Sequence, residues 1–166
     1  MHHSAALPTP LGLFTLTIDD LGLCGLAFPA EAPRVAAQPV ETINAHPLLE
    51  EAGRQLLAYL SGTLRDFDLP LSIHGTAFQQ QVWAQLRAIP YGATMTYGEL
   101  AERIGGRQKA RAVGGAAHAN PLAIVVPCHR LIGAGGQLTG FGGGLPMKQA
   151  LLELEANAVG KLKKSA

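Results

Sequence analysis

The chain has 166 residues, 48% hydrophobic and 15% charged, which suits one domain or two small ones with a buried core and excludes a disordered tail. Two cysteines exclude a secreted disulfide framework, and apolar runs broken every few residues exclude a membrane span of about 20 residues. No basic stretch precedes a signal-like core, so cytoplasmic or nuclear residence is expected.

The formal net charge of +1 divides unevenly. Residues 1–76 carry three arginines against eight acids, a charge of −5; residues 77–166 carry ten bases against four acids, a charge of +6. Opposite signs suggest two modules, 1–76 and 77–166, the second facing an anion such as nucleic acid. Chance fluctuation of surface charge, with Lys161, Lys163 and Lys164 as a solvated tail, is the alternative.

His2 and His3 read as a frayed terminus rather than a ligand set. Leu13–Ile18 is rich in β-formers, Asp19, Asp20 and Gly22 mark a turn, and Leu21–Phe28 resumes as the partner strand of a hairpin. Pro29 to Pro39 is loop by composition, with room for a short strand around Val35. Pro47 starts a helix, because Leu48, Leu49, Ala52, Leu56, Leu57 and Leu60 recur at helical spacing, and Gly62 stops it. Phe67–Ile73 alternates, and Pro70 makes it an edge strand. This half is an α/β layer without a clustered polar constellation, and its expected role is scaffolding.

The second half is mainly helical. Thr76 and Gln79 have capping-box spacing ahead of the stripe Phe78, Val82 and Leu86, with Trp83 beside it as core. Thr96 and Glu99 form a second such pair, opening a short helix through Ile104. A glycine turn leads to a further helix, from about Arg107 or Gln108 to Ala117, giving a helix–turn–helix shape. Arg107, Lys109 and Arg111 crowd its start, against the helix dipole, where a phosphate would remove the conflict. Gly114-Gly115 costs about 1 kcal/mol per glycine relative to alanine, which close approach of another backbone, protein or DNA, could offset. Leu122–Val126 reads as a buried extended run entering Pro127-Cys128-His129-Arg130.

Cys128 is the candidate nucleophile. Arg130 adds a positive field that favours thiolate, and Pro127 restricts the backbone. A free cysteine is also commonly a small buried hydrophobe, and spacing alone leaves both readings open. His129 does not decide the matter, since neighbours along an extended chain point to opposite sides. Cys24, in an apolar strand, reads as core, and two cysteines with scattered histidines do not make a structural zinc site.

Pro127-Cys128-His129-Arg130 resembles the active-site motif of the methylated-DNA–protein-cysteine methyltransferases, the O6-alkylguanine-DNA alkyltransferases. The resemblance takes in Phe78-Gln79-Gln80-Gln81-Val82-Trp83, Pro90-Tyr91-Gly92, Thr96-Tyr97-Gly98-Glu99-Leu100-Ala101 and Arg111-Ala112-Val113-Gly114-Gly115-Ala116. Asn120-Pro121, Gly142-Gly143-Gly144-Leu145 and Glu155 extend it over residues 78 to 155.

The resemblance implies an α/β N-terminal ribonuclease-H-like domain and a mainly α C-terminal domain with a helix–turn–helix. It implies that Cys128 accepts the alkyl group, that His129 is its general base through a water, and that Glu155 orients the histidine. Asn120 would brace the active-site loop, Tyr97 would help turn out the nucleotide and donate toward guanine, and Arg111 would fill the vacated stack. Small residues at Gly114, Gly115, Ala116 and Ala117 would let the helix sit close to the minor groove. Read by themselves, Glu155 is a helix-surface acid, Asn120 a helix end, Tyr97 packing and Arg111 solvated surface.

The chemistry suits these residue types. A soft thiolate displaces a saturated carbon well, the leaving guanine needs a proton donor, and a base hidden in a duplex must be flipped. The thioether product has no good route to hydrolysis, so each molecule is expected to react once, without cofactor. The expected partner is double-stranded DNA containing O6-alkylguanine, bound by a monomer, with no membrane and no metal. One departure is that some relatives place serine after the loop aromatic where this chain reads Phe141-Gly142, which leaves room for alkyl groups larger than methyl. A binding-only relative is disfavoured by the presence of Cys128. A cysteine hydrolase would need an oxyanion hole that no separate motif supports.

Overall fold

The computed structural model describes residues 1–31 and 40–165. They form two compact units, Met1–His74 with Pro121–Val125, and Gly75–Asn120 with the chain from Val126 on. The charge balance places the change of module after residue 76, with a continuous second module. In the fold, the chain leaves the first unit after His74 and returns to it for Pro121–Val125.

The first unit is a four-stranded sheet with one helix. Strands β1 (His3–Thr9), β2 (Gly12–Ile18) and β3 (Leu23–Ala27) form an antiparallel meander, and β4 (Val40–Glu41) adds parallel to β1, giving the order β3-β2-β1-β4. His3 therefore belongs to a strand and is not frayed; it pairs with Ile18. Helix α1 (Pro47–Leu60) starts at the proline that pre-sets its first φ. It buries Leu49, Ala52, Gly53, Leu56 and Tyr59, one stripe at helical spacing, while Phe14, Leu16 and Leu23 of the sheet are fully buried.

Phe67–Ile73 is not a strand. It contributes one parallel bridge, Leu71 with Leu23, in which Leu23 N donates to Pro70 O at 2.8 Å and Ser72 N donates to Leu23 O at 2.8 Å. The short strand expected around Val35 falls outside the described residues, as do the side chains of Lys161, Lys163 and Lys164.

The first unit also brings together groups that the sequence scatters. His2, Asp19 and Cys24 place ligand-capable atoms within 4.8 Å of one another, as do His3, Glu41 and His46. The expectation that no such cluster exists is thereby corrected, because sheet pairing joins residues far apart in sequence. Burial, with the Asp19 charge, pushes the Cys24 thiol up to about 11, and the thiol donates to Thr17 O, consistent with a core cysteine.

The second unit is helical. Helices α2 (Ala77–Arg87) and α3 (Tyr97–Ile104) each open with a complete capping box, Thr76 with Gln79 and Thr96 with Glu99. Trp83 is buried and its Nε1 donates to Ala116 O at 2.8 Å, so its polar edge is satisfied inside the core. After α3, Arg107–Lys109 forms a single 3-10 turn, and α4 runs Ala110–His118. A two-stranded parallel pair joins β5 (Met95–Thr96) to β6 (Leu131–Ile132). Helix α5 (Leu145–Ser165) closes the described chain. No described helix is long and apolar enough to cross a membrane.

Candidate active site

The approach to Cys128 is not the extended run expected. Leu122 bridges to Leu26, but the run is broken at Ile124-Val125, where Val125 N donates to Ala123 O at 2.7 Å and Ile124 sits at φ 70°. A buried β-branched residue at positive φ costs on the order of 1–3 kcal/mol and persists only where its surroundings fix it. Pro127 (φ −81°, ψ 66°) closes a three-residue turn in which Cys128 N donates to Val126 O at 2.8 Å. Cys128, His129 and Arg130 then form a 3-10 turn, so the tightness of the backbone, and not strand alternation, sets their directions.

Val126 O is a shared acceptor. Asn120 Nδ2, buried beyond the end of α4, donates to it at 2.8 Å alongside Cys128 N. Asn120 is thus more than a helix end: it ties α4 to the residue two before the cysteine. On the other side of the turn, β6 pairs with β5, whose last residue caps α3, and Tyr97 is the first residue of that helix. This pairing puts Tyr97 and the Cys128 turn on one short frame.

His129 and Glu155 are fully enclosed, at 0% and 1% exposure. Nε2 of His129 lies 2.7 Å from Glu155 Oε2. Arg130 Nε donates to Oε1 at 2.8 Å and its Nη2 to Oε2 at 2.9 Å, while Nη1 donates to Ile89 O at 2.8 Å. Gly92 N donates to Oε1 at 3.0 Å. Gly92 sits at φ 80°, and a Cβ there would come within 2.6 Å of Val159, so a glycine is needed for the backbone to reach the carboxylate. Glu155 is therefore not a helix-surface acid. Helix α5 continues on both sides of it, and its carboxylate is a buried hub.

Burial lowers the His129 pKa below the ordinary histidine value; Glu155 opposes this, and the cations Arg130 and Lys148 add to it. Burial thus favours the neutral ring. With Nε2 committed to Glu155, proton exchange falls to Nδ1.

Arg130 was expected to supply a positive field to the cysteine, but its guanidinium is devoted to Glu155 and Ile89 O. The cation that couples electrostatically to the Cys128 charge is Lys148, which its sequence context marks only as one more base. Lys148 is fully buried on α5, and its Nζ donates to Leu131 O at 2.5 Å and Thr139 O at 3.3 Å. Nζ lies 5.6 Å from the Phe141 ring centroid and 5.9 Å from that of Tyr97. Burial depresses its pKa, and the Cys128 charge works against that. No local signal marks it: a lysine near the start of a helix looks like any solvated base.

Tyr97 is half-buried, and its phenol oxygen accepts a hydrogen bond from Thr139 Oγ1 at 3.2 Å, which leaves the phenol proton unused by that bond. Gly114 packs near its ring, where an added Cβ would meet Tyr97 carbons at ordinary contact distance. Gly115 is exposed with nothing within 4 Å of a Cβ built there. Ala116 and Ala117 are buried, so the small-residue face narrows to Gly114 and Gly115, with Arg111 and His118 on the same side of α4.

Of the three bases crowding the approach to α4, two are used within the unit. Arg107 Nε donates to Glu102 at 2.7 Å, and Lys109 Nζ donates to Ile104 O at the end of α3. Arg111 is exposed and makes no hydrogen bond or ion pair among the described residues.

Two family models match the chain. "6-O-methylguanine DNA methyltransferase, DNA binding domain" covers residues 77–157, and "6-O-methylguanine DNA methyltransferase, ribonuclease-like domain" covers residues 3–73. The chain is 44% identical over 153 residues to a methylated-DNA–protein-cysteine methyltransferase of Methanosarcina acetivorans, covering 92% of this chain and 97% of that one. It is 46% identical over 160 residues to the protein of that name from Mycobacterium bovis, covering 93% of each. The crystal structure of Mycobacterium tuberculosis OGT in complex with DNA superposes with a TM-score of 0.85 at 44% identity, over 94% of each chain. With both units matched and such relatives aligned over nearly their full length, the chain belongs to the methylated-DNA–protein-cysteine methyltransferase family.

Proposed function

We propose that this protein repairs O6-alkylguanine in double-stranded DNA by transferring the alkyl group irreversibly to Cys128. The observation that carries the reading is the buried sequence of contacts from Arg130 to Glu155 to His129, one residue from the cysteine. Glu155 fixes the ring so that Nδ1 takes the thiol proton through a water, while the Lys148 cation favours thiolate. The S–C bond forms as the C–O6 bond breaks. The electron pair passes into the guanine, and the Tyr97 phenol supplies the proton that neutralises it. The thioether ends the reaction after one turnover, without cofactor.

Reaching the base requires turning its nucleotide out of the duplex. Helices α3 and α4 act as a helix–turn–helix whose Gly114–Gly115 face lies close to the DNA backbone, with Arg111 entering the gap in the stack. Tyr97, at the start of α3, helps expel the nucleotide. The sheet order β3-β2-β1-β4, with its parallel last pair, supports a ribonuclease-H-like reading of the first unit. All the groups invoked come from one chain, which supports action as a monomer. A nucleophilic thiol suits the reducing cytoplasm.

Intact-mass measurement after incubation with O6-methylguanine DNA tests the proposal. The expected result is a stable gain of one methylene mass that Cys128→Ala abolishes. Unchanged mass with tight lesion binding would instead make this a binding-only protein.

A further inference from the structure

Three segments of the first unit converge on one carboxylate. His3 opens β1, Glu41 ends β4, and His46 is the residue capping the start of α1. His3 Nδ1 lies 2.9 Å from Glu41 Oε1, and His46 Nε2 lies 3.4 Å from Oε2, so each ring addresses a different oxygen. The two imidazoles sit side by side with centroids 3.9 Å apart, and all three ligand-capable atoms fall within 4.8 Å of one another.

Zinc bound tetrahedrally at about 2.0–2.2 Å sets its nitrogen and oxygen ligands about 3.3 Å apart. The two observed separations, 2.9 and 3.4 Å, run to different oxygens of Glu41, so both rings stand near ligand spacing from one carboxylate rather than from a single atom of it. Two imidazoles and a carboxylate are also the donor set that suits zinc-like divalent ions. We propose that His3, Glu41 and His46 form a divalent-cation site of zinc-like chemistry. Side-chain exposures of 25%, 34% and 36% leave the fourth position open to water.

The ion would bind the nitrogens that now face the carboxylate, displacing any proton they carry. It would also reinforce a weak join, because β4 pairs with β1 through only Ser4↔Val40 and Ala5↔Glu41. A metal cross-link there fastens the end of β4 and the start of α1 to the N-terminal strand. Its role is structural, since no residue of the alkyl-acceptor site takes part.

The neighbouring group, His2, Asp19 and Cys24, is poorer in available donors. Asp19 already accepts from Ser72 Oγ at 2.5 Å and from Leu21 N and Gly22 N, and the Cys24 thiol is held protonated by burial. Binding there would require breaking these bonds and expelling a thiol proton.

The test is calorimetric titration of the metal-stripped full chain with zinc, carrying Cys128→Ser to remove the half-buried thiol. The expected result is one equivalent of zinc per chain, weakened at least about tenfold by Glu41→Gln and by His46→Ala and unaffected by Cys24→Ser. Absence of binding, binding indifferent to both substitutions, or loss with Cys24→Ser would each overturn the proposal. Cobalt added to the chain with His3, Glu41 and His46 intact provides a readout independent of variant folding. Visible bands without an intense thiolate-to-metal transition support the site; a strong thiolate band places the ion on cysteine and refutes it.

Discussion

Arg130 holds both oxygens of Glu155, Nε on Oε1 at 2.8 Å and Nη2 on Oε2 at 2.9 Å, and His129 shares the second of them. The paired carboxylate can therefore orient the ring while its own charge is largely balanced. A lone buried Glu155 would instead draw a proton onto His129 and spoil it as a base.

Removing one member of this buried set leaves an uncompensated charge. Arg130→Ala is expected to cost about 3–5 kcal/mol of unfolding free energy, as is Glu155→Ala. The double variant should cost less than the two losses added together. Urea denaturation of all three proteins, evaluated as a double-mutant cycle, checks this.

His129 gives the stability a definite pH dependence. Its folded-state pKa is lowered by burial, so below the ordinary value of 6.5 the unfolded chain binds more protons than the folded one. Its contribution is thus fully present above that value and falls as pH drops below it. Denaturation midpoints measured from pH 8 to pH 5 should decline for the parent protein and decline less for His129→Asn.

Lys148 should set the readiness of the thiol. Lys148→Met is expected to move the pH profile of Cys128 alkylation by iodoacetamide to higher pH, and Lys148→Arg to move it less. The methionine variant should also lose about 1–3 kcal/mol of stability, because Leu131 O and Thr139 O lose a buried donor.

Arg111 touches none of the acceptor chemistry. Arg111→Ala should slow alkyl transfer from duplex DNA by about tenfold or more, equivalent to at least about 1.4 kcal/mol of the cost of flipping. Reaction with free O6-methylguanine base should be unchanged. Equal losses on both substrates would remove the role in base flipping.

The Phe141-Gly142 sequence leaves no side chain where some relatives carry serine. Measurable repair of O6-ethylguanine DNA is expected under conditions that repair O6-methylguanine. Gly142→Ser should reduce the ethyl rate more than the methyl rate. Single-turnover kinetics on both duplexes give the ratio.

Local signals were readable where local physics sufficed. The capping boxes at Thr76 and Thr96 lie where spacing puts them, and α1 begins at Pro47 and buries Leu49, Ala52 and Leu56, although Leu57 of the expected stripe is exposed. Strand β1 was missed because its segment His3–Thr9 includes Ser4, Ala5, Ala6 and Pro8, poor β-formers that are held by pairing with β2. Ile124 could not be read either, since a β-branched residue announces no positive φ. The Cys128 motif was legible as a motif, whereas its electrostatics were not. Arg130 turns away to Glu155, 25 residues on, and Lys148 arrives from helix α5, for which no start is read from the sequence.

The return of Pro121–Val125 to the first unit has a consequence for synthesis on the ribosome. One edge of β3 is sealed at Leu23 by Pro70 and Ser72, and at Leu26 by Pro121 O at 2.9 Å and Ala123 N at 3.1 Å. The nascent chain emerges N-terminus first, so the sheet must wait with half of this edge uncovered until residue 123 is free. An open strand edge is a template for pairing with another chain. Translation speed between His74 and Ala123 therefore sets how long each new molecule is exposed to aggregation. A terminated chain lacking that segment would never close the edge.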